Sequence, residues 1–219
     1  IKKSADADTS IELTPGSSEI YAAHYASENE KISEMISLLI AKMDGQWKIV
    51  WIDTSDFKYN GQDANALYEK GVAYRKDGKI MPAYIYSEML LNIIKPGNML
   101  TYSNFDEMQD FVYQMKSEVW QDHQLPLALE EVGNNASVYM VGLANENMDV
   151  IPLIGYKTDT PITNVDALKT EAKKVLDALE SLYPGTKDAF SQVAFNVTNQ
   201  DPETTEGQLD VESFVLPTK

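Results

Sequence analysis

A chain of 219 residues with 43% hydrophobic and 10% aromatic content has enough apolar area to close a packed core, and its length accommodates one large unit or two small ones. The formal charge of −16, from 34 acidic against 18 basic residues, makes attraction to nucleic-acid backbones or anionic lipid headgroups unfavourable over most of the surface. Cysteine is absent, which excludes disulfides and thiol catalysis, and there is no run of about 18 apolar residues that could span a membrane as a helix.

The chain begins with Ile1, and its first ten residues, IKKSADADTS, are polar, which points to a leader or boundary upstream. Together with the lack of cysteine, this favours an extracytoplasmic protein, periplasmic or at the cell surface; lipid anchoring through a removed N-terminus stays open. From Glu19 to Thr54 the pattern reads as three β-strands. Ile20, Ala22, His24 and Ala26 alternate with Tyr21, Ala23 and Tyr25, and Ser27-Glu28-Asn29-Glu30 supplies a turn. Ile32 to Met43 is followed by Asp44-Gly45 and then by Gln46 to Asp53, and Asp-Gly between apolar runs is a strong hairpin signal. Strand side chains alternate with period two, so Trp47, Ile49, Trp51 and Asp53 are expected on one face, an aromatic row closing on an acid.

Beyond Asn60-Gly61 the spacing becomes helical. Ala64, Leu67, Tyr68 and Val72 follow an Asp63 cap until Asp77-Gly78. Pro82 opens a second helix with Ile85, Met89, Leu90 and Ile93 as its stripe, ended by Pro96-Gly97. Ser103, with Asp106 and Glu107 in the first turn, opens a third, which runs to about Gln121. Ser137 to Ala144 and Val150 to Tyr156 flank the turn Asn145-Glu146-Asn147 as a hairpin of buried strands. Thr163 with Asp166 opens a fourth helix, lined by Leu168, Ala172, Val175, Leu176 and Leu179, which stops at Pro184-Gly185. Phe190 to Val197 and Leu209 to Leu216 close the chain as strands. The order βββ-ααα-ββ-α-ββ, with strands arriving as hairpins, predicts an α+β fold of antiparallel sheets packed with helices. A boundary near residue 60 divides it into an antiparallel meander, 1–60, and an α+β unit with a helical hairpin, 61–219.

Residues 32–53, through Lys42-Met43-Asp44-Gly45-Gln46-Trp47-Lys48-Ile49, resemble the closing strands of the nuclear transport factor two-like, or SnoaL-like, cone fold. That resemblance implies a cone, in this chain a truncated one, and an enclosed pocket suited to a hydrolase, isomerase or dehydratase. Leu67, Gly71, Tyr74, Gly78 and Ala83 are spaced similarly to a single tetratricopeptide repeat, and without a second copy they are read as one helical hairpin.

The chemical repertoire is narrow. With two histidines, His24 and His123, a metal site rich in histidine is excluded and no metal or cofactor is expected. His24 beside Asp53 offers a general base oriented by an acid, against the simpler reading of a hydrogen-bonded strand histidine. His123 is explained by the end of the preceding helix. Asp53-Thr54-Ser55-Asp56 has donors that a hard cation accepts but lacks calcium-loop spacing, and Asp201, Glu203, Glu206 and Asp210 read as a solvated acidic loop. The sequons at Asn135 and Asn196 are read as chance. There is no phosphate-cradling glycine loop, nucleophile elbow or metal-binding His-Glu pair. The leading expectation is a non-enzymatic exported module that binds a small molecule, glycan or protein partner through Trp47, Trp51 and Asp53. The alternative is a small cone-fold enzyme in which His24 and Asp53 form the acid-base pair.

Overall fold

The computed structural model describes residues 7–8, 19–27, 31–96 and 100–219. The turn expected at Glu28-Asn29-Glu30, the polar start outside residues 7–8, and Gly97 lie outside them. The first sheet holds three antiparallel strands in sequence order: β2 (Ile20–Ala26), β3 (Ser33–Met43) and β4 (Gln46–Lys58). A short pair, β1 (Ala7–Asp8) with β5 (Thr101–Tyr102), forms separately. The β3–β4 turn falls at Asp44-Gly45, both at positive φ, which is where a two-residue turn needs residues that tolerate the left-handed region.

Helices α1 (Ala64–Lys76), α2 (Ile80–Ile93) and α3 (Phe105–Val119) follow. The Asp63 side chain caps α1 by accepting from Ala66 N at 3.0 Å, so the sequence signal there has its physical cause. Gly71 in α1 permits a close approach to α3, because a Cβ there would sit 2.8 Å from the Phe111 ring. The expected caps at Ser103 and Thr163 each fall one residue early. Asn104 precedes α3, and Asn164 caps α4 (Val165–Leu182) by accepting from Ala167 N.

The second sheet has five strands in the order β10-β9-β8-β7-β6, formed by β6 (Leu127–Ala128), β7 (Ser137–Glu146), β8 (Asp149–Lys157), β9 (Gln192–Thr198) and β10 (Glu212–Pro217). The fold is α+β with the predicted run of elements, apart from short additions such as α5 (Thr186–Ala189). One junction departs from the antiparallel expectation: β8 and β9 are parallel, Leu153 pairing with Ala194 through Lys157 with Thr198. The physical reason is α4, an 18-residue helix between them, which carries the chain back to the starting end so that the next strand runs the same way. Pro152 is tolerated in β8 because the pairing with β9 begins only at Leu153.

The buried core centres on the helices and the five-stranded sheet. Leu168, Ala172, Val175 and Leu179 of α4 pack with Tyr156, Phe195 and Leu216 of the five-stranded sheet, and with Leu67, Ile85, Met89, Met108 and Met115 of α1 to α3. Tyr59, just after β4, belongs to the same cluster. The Asn60 side chain donates to Val150 O at 2.7 Å and accepts from Val150 N at 2.8 Å, which ties the end of the first sheet to the start of β8.

Candidate functional site

The first sheet departs from the usual arrangement of one buried apolar face and one polar solvated face. Residues opposite one another on antiparallel strands share a face, so the register sorts the side chains. The inner face carries Met35, Ser37 and Ala41 of β3, all buried, with Ala22 and His24 of β2 and Trp51 and Asp53 of β4. The outer face carries Tyr21 and Tyr25 of β2, Ile36, Leu38 and Ile40 of β3, and Trp47, Ile49 and Ile52 of β4. Most of these outer residues are apolar yet uncovered: Tyr21 is 59% exposed, Tyr25 62%, Ile49 61% and Ile52 63%, with Ile36 and Trp47 also exposed and Leu38 and Ile40 of the central strand half-buried.

A β-bulge produces this arrangement and corrects the expected face of β4. Leu39 pairs with Trp51 and Ile40 with Ile49, so Val50 is an extra residue and the alternation shifts by one. Trp47 and Ile49 therefore stand on the outer face, whereas Trp51 and Asp53 stand on the inner one. The Tyr21 and Trp47 rings confirm the outer placement, with centroids 5.0 Å apart and planes tilted by 57°. The proposed row Trp47, Trp51, Asp53 is thus split across the sheet. Period-two counting missed it because nothing in Lys48-Ile49-Val50-Trp51 distinguishes a bulge from a regular strand.

On the inner face, His24, Ser37 and Asp53 form a row across the three strands. His24 Nδ1 lies 2.9 Å from Ser37 Oγ, and burial holds the imidazole below its ordinary 6.5. His24 and Asp53 stand two strand spacings apart, about 9–10 Å, so no direct proton relay joins them. Asp53 Oδ1 accepts instead from Thr54 N at 3.0 Å, and Ser37 is fully buried between the two. His123, the other histidine, packs edge-on against Tyr183.

A second polar cluster, not anticipated from sequence, sits where β8 and β9 end. Glu171 of α4 is only 4% exposed. Its Oε2 accepts from Asn134 Nδ2 at 2.7 Å and from Thr160 Oγ1 at 2.6 Å, while its Oε1 is buried with no hydrogen-bond partner. Burial and the nearby Glu171 carboxylate push the Tyr156 hydroxyl up. Asn199 Nδ2 donates to both Thr158 O and Thr160 O, so the loops after β8 and β9 are held as one piece. Asn134 and Asn135 both lie at positive φ, and Asn135 donates to Asp159, which occupies that sequon side chain. The available sequence signal was Gly133-Asn134-Asn135, a run suited to left-handed backbone.

A cavity of about 320 Å³ opens beside this region between Leu125, Tyr139, Lys157 and Asp201. Lys157 Nζ pairs with Asp201 at 3.2 Å. The Glu203 backbone N–H and then Lys157 hold the Asp201 carboxyl below its ordinary range, so its charge is already compensated by its own loop and the end of β8. Among the described residues no group of three or more His, Asp or Glu side chains converges as a metal site, and no helix is long and apolar enough to cross a membrane.

Comparison with family models, with curated proteins and with solved structures gives no match.

Proposed function

We propose that this chain is a non-enzymatic, exported binding module that engages a protein partner through the outer face of its first sheet. The observation that carries the reading is the apolar, exposed face itself: Tyr21, Tyr25, Ile36, Trp47, Ile49 and Ile52 lie together on one side of three adjacent strands. A contiguous apolar patch of this kind marks an interaction surface far more often than a solvated one. Its shape favours a macromolecule. The face is a sheet surface rather than an enclosed cleft, and the tilted Tyr21–Trp47 pair is not the coplanar platform on which a sugar ring stacks.

The test uses a photo-crosslinking amino acid at position 52 in the intact chain, expressed in its native cell. A discrete adduct is expected at position 52 and none at Tyr113, an exposed aromatic on α3. Adding Ile49→Asp should remove the adduct. Equal labelling at both positions, or an adduct indifferent to Ile49→Asp, would contradict the proposal.

A second reading draws on the inner row and on the cone-fold resemblance of residues 32–53: a small hydrolase, isomerase or dehydratase with His24 and Asp53 as its acid-base pair. The His24–Ser37 hydrogen bond favours it by bringing an imidazole to a hydroxyl on one face. Full burial of Ser37 weighs against it, since a substrate must reach the reacting atoms. Turnover of ester or hydroxyacyl substrates that His24→Ala and Asp53→Asn each abolish would establish it; unchanged turnover in both variants would remove it.

A further inference from the structure

We propose that the occupant of the outer face is a single amphipathic α-helix of about 15–18 residues, its apolar stripe flanked by lysine or arginine, lying along β3. This rests on the reading of that face as a partner surface and adds what kind of partner fits. Neighbouring strands lie about 4.8 Å apart, so three strands present a strip about 10 Å wide between the outer strand axes, close to the diameter of one helix. Along β3 the face extends from Glu34 to Lys42, about 26 Å at 3.3 Å per residue, and a helix rising 1.5 Å per residue covers that length in about 17 residues.

The area points the same way. A strip of these dimensions has a projected area of about 250 Å², the footprint of one helix about 26 Å long and 10 Å wide and not the broad patch that a standard-sized association of two globular surfaces covers. A second copy of this chain meeting the face through its own equivalent strip would be undersized and would bring together two molecules of charge −16. One helix needs only its apolar stripe on the strip, and its flanks then reach the surrounding charges.

Those charges are polarised. At one end, Glu34 and Asp56 stand directly opposite each other on the outer face, like charges that an empty sheet gains nothing by pairing. Asp56 accepts from the Tyr59 hydroxyl, and among the described residues the Glu34 carboxylate has no hydrogen-bond or ion-pair partner. At the other end, Lys42 is already balanced by Glu19 at 2.9 Å and sits 5.6 Å over the Trp47 ring. Among the strand residues of the outer face the uncompensated charge is therefore negative and sits at the Glu34 end, which is where a cationic segment of the helix belongs.

The experiment titrates two fluorescent 18-residue peptides, constrained as helices, against the full chain. Both carry the same leucine stripe; one is flanked by lysine and the other by glutamate. The lysine peptide is expected to bind at least tenfold tighter than the glutamate peptide, to weaken as salt rises, to lose several-fold in affinity with Glu34→Lys, and to lose binding with Ile49→Asp. Glu34 is exposed, so its substitution tests the charge without threatening the fold. A lysine peptide that binds the Ile49→Asp variant as well as wild type is held by net charge alone and overturns the proposal. Equal affinity for both peptides overturns it too, as does a self-association that Ile49→Asp disrupts. If neither peptide binds while crosslinking at position 52 still captures a partner, the helix is wrong and the face stands; if crosslinking fails as well, the face reading falls with it.

Discussion

The two sides of the first sheet make opposite demands on stability, and a paired substitution measures the difference. Ile52 is 63% exposed on the outer face, whereas Met35 is 3% exposed on the inner one. Burying an isoleucine fully is worth about 1.5–3 kcal/mol, so the covered third of Ile52 contributes roughly 0.5–1 kcal/mol. Loss of strand preference on placing Asp there adds up to about 1 kcal/mol, and Ile52→Asp is expected to cost no more than about 1.5–2 kcal/mol. Met35→Ala, which opens a cavity in a buried site, is expected to cost about 2–5 kcal/mol despite being the milder chemical change. Urea unfolding followed by tryptophan fluorescence measures both, with unchanged slopes confirming that the two variants unfold from comparably compact states. A cost of about 4 kcal/mol or more for Ile52→Asp would show an unpaired charge placed in a covered site and would refute the exposed outer face.

Glu171→Ala removes the acceptor of two short hydrogen bonds, from the Asn134 amide and the Thr160 hydroxyl, so a loss of about 1–3 kcal/mol is expected, with Glu171→Gln costing less; equal stability of Ala and wild type in urea would contradict this role. Gly71→Ala gains about 1 kcal/mol of helix propensity but forces a Cβ to 2.8 Å from the Phe111 ring, and the overpacking of about 1–3 kcal/mol should leave a net loss that calorimetry detects as a lower Tm. The folded state holds the His24 pKa below 6.5, so the unfolded chain binds more protons and stability should fall as pH drops from about 6.5 towards the folded value. His24→Gln should flatten that part of the profile relative to wild type, and identical profiles would contradict the assignment.

Much of the fold was legible because local chemistry and tertiary need agree. Asp63 caps α1 by the hydrogen bond its position implies, Asp44-Gly45 makes the turn its dipeptide favours, and the stripe Leu168, Ala172, Val175, Leu179 buries as its spacing requires. The parallel β8–β9 pair was less visible, since it depends on where α4 returns the chain and not on any residue in either strand. The Val50 bulge was invisible for a related reason. One extra residue between β-branched and aromatic neighbours changes no propensity, yet it reverses the face of Trp47 and Ile49. The Glu171 cluster joins residues from positions 134, 160 and 171, and only the packed loops bring them together.

Hydroxyl-radical footprinting of the intact chain, free and with its captured partner, tests the central claim most directly. Tyr21, Tyr25, Ile49 and Ile52 should oxidise readily in the free protein, while Met35 and Phe195 stay protected, and the four outer residues should become protected together in the complex. Protection of those four in the free monomer, or their unchanged oxidation in the complex, would contradict it.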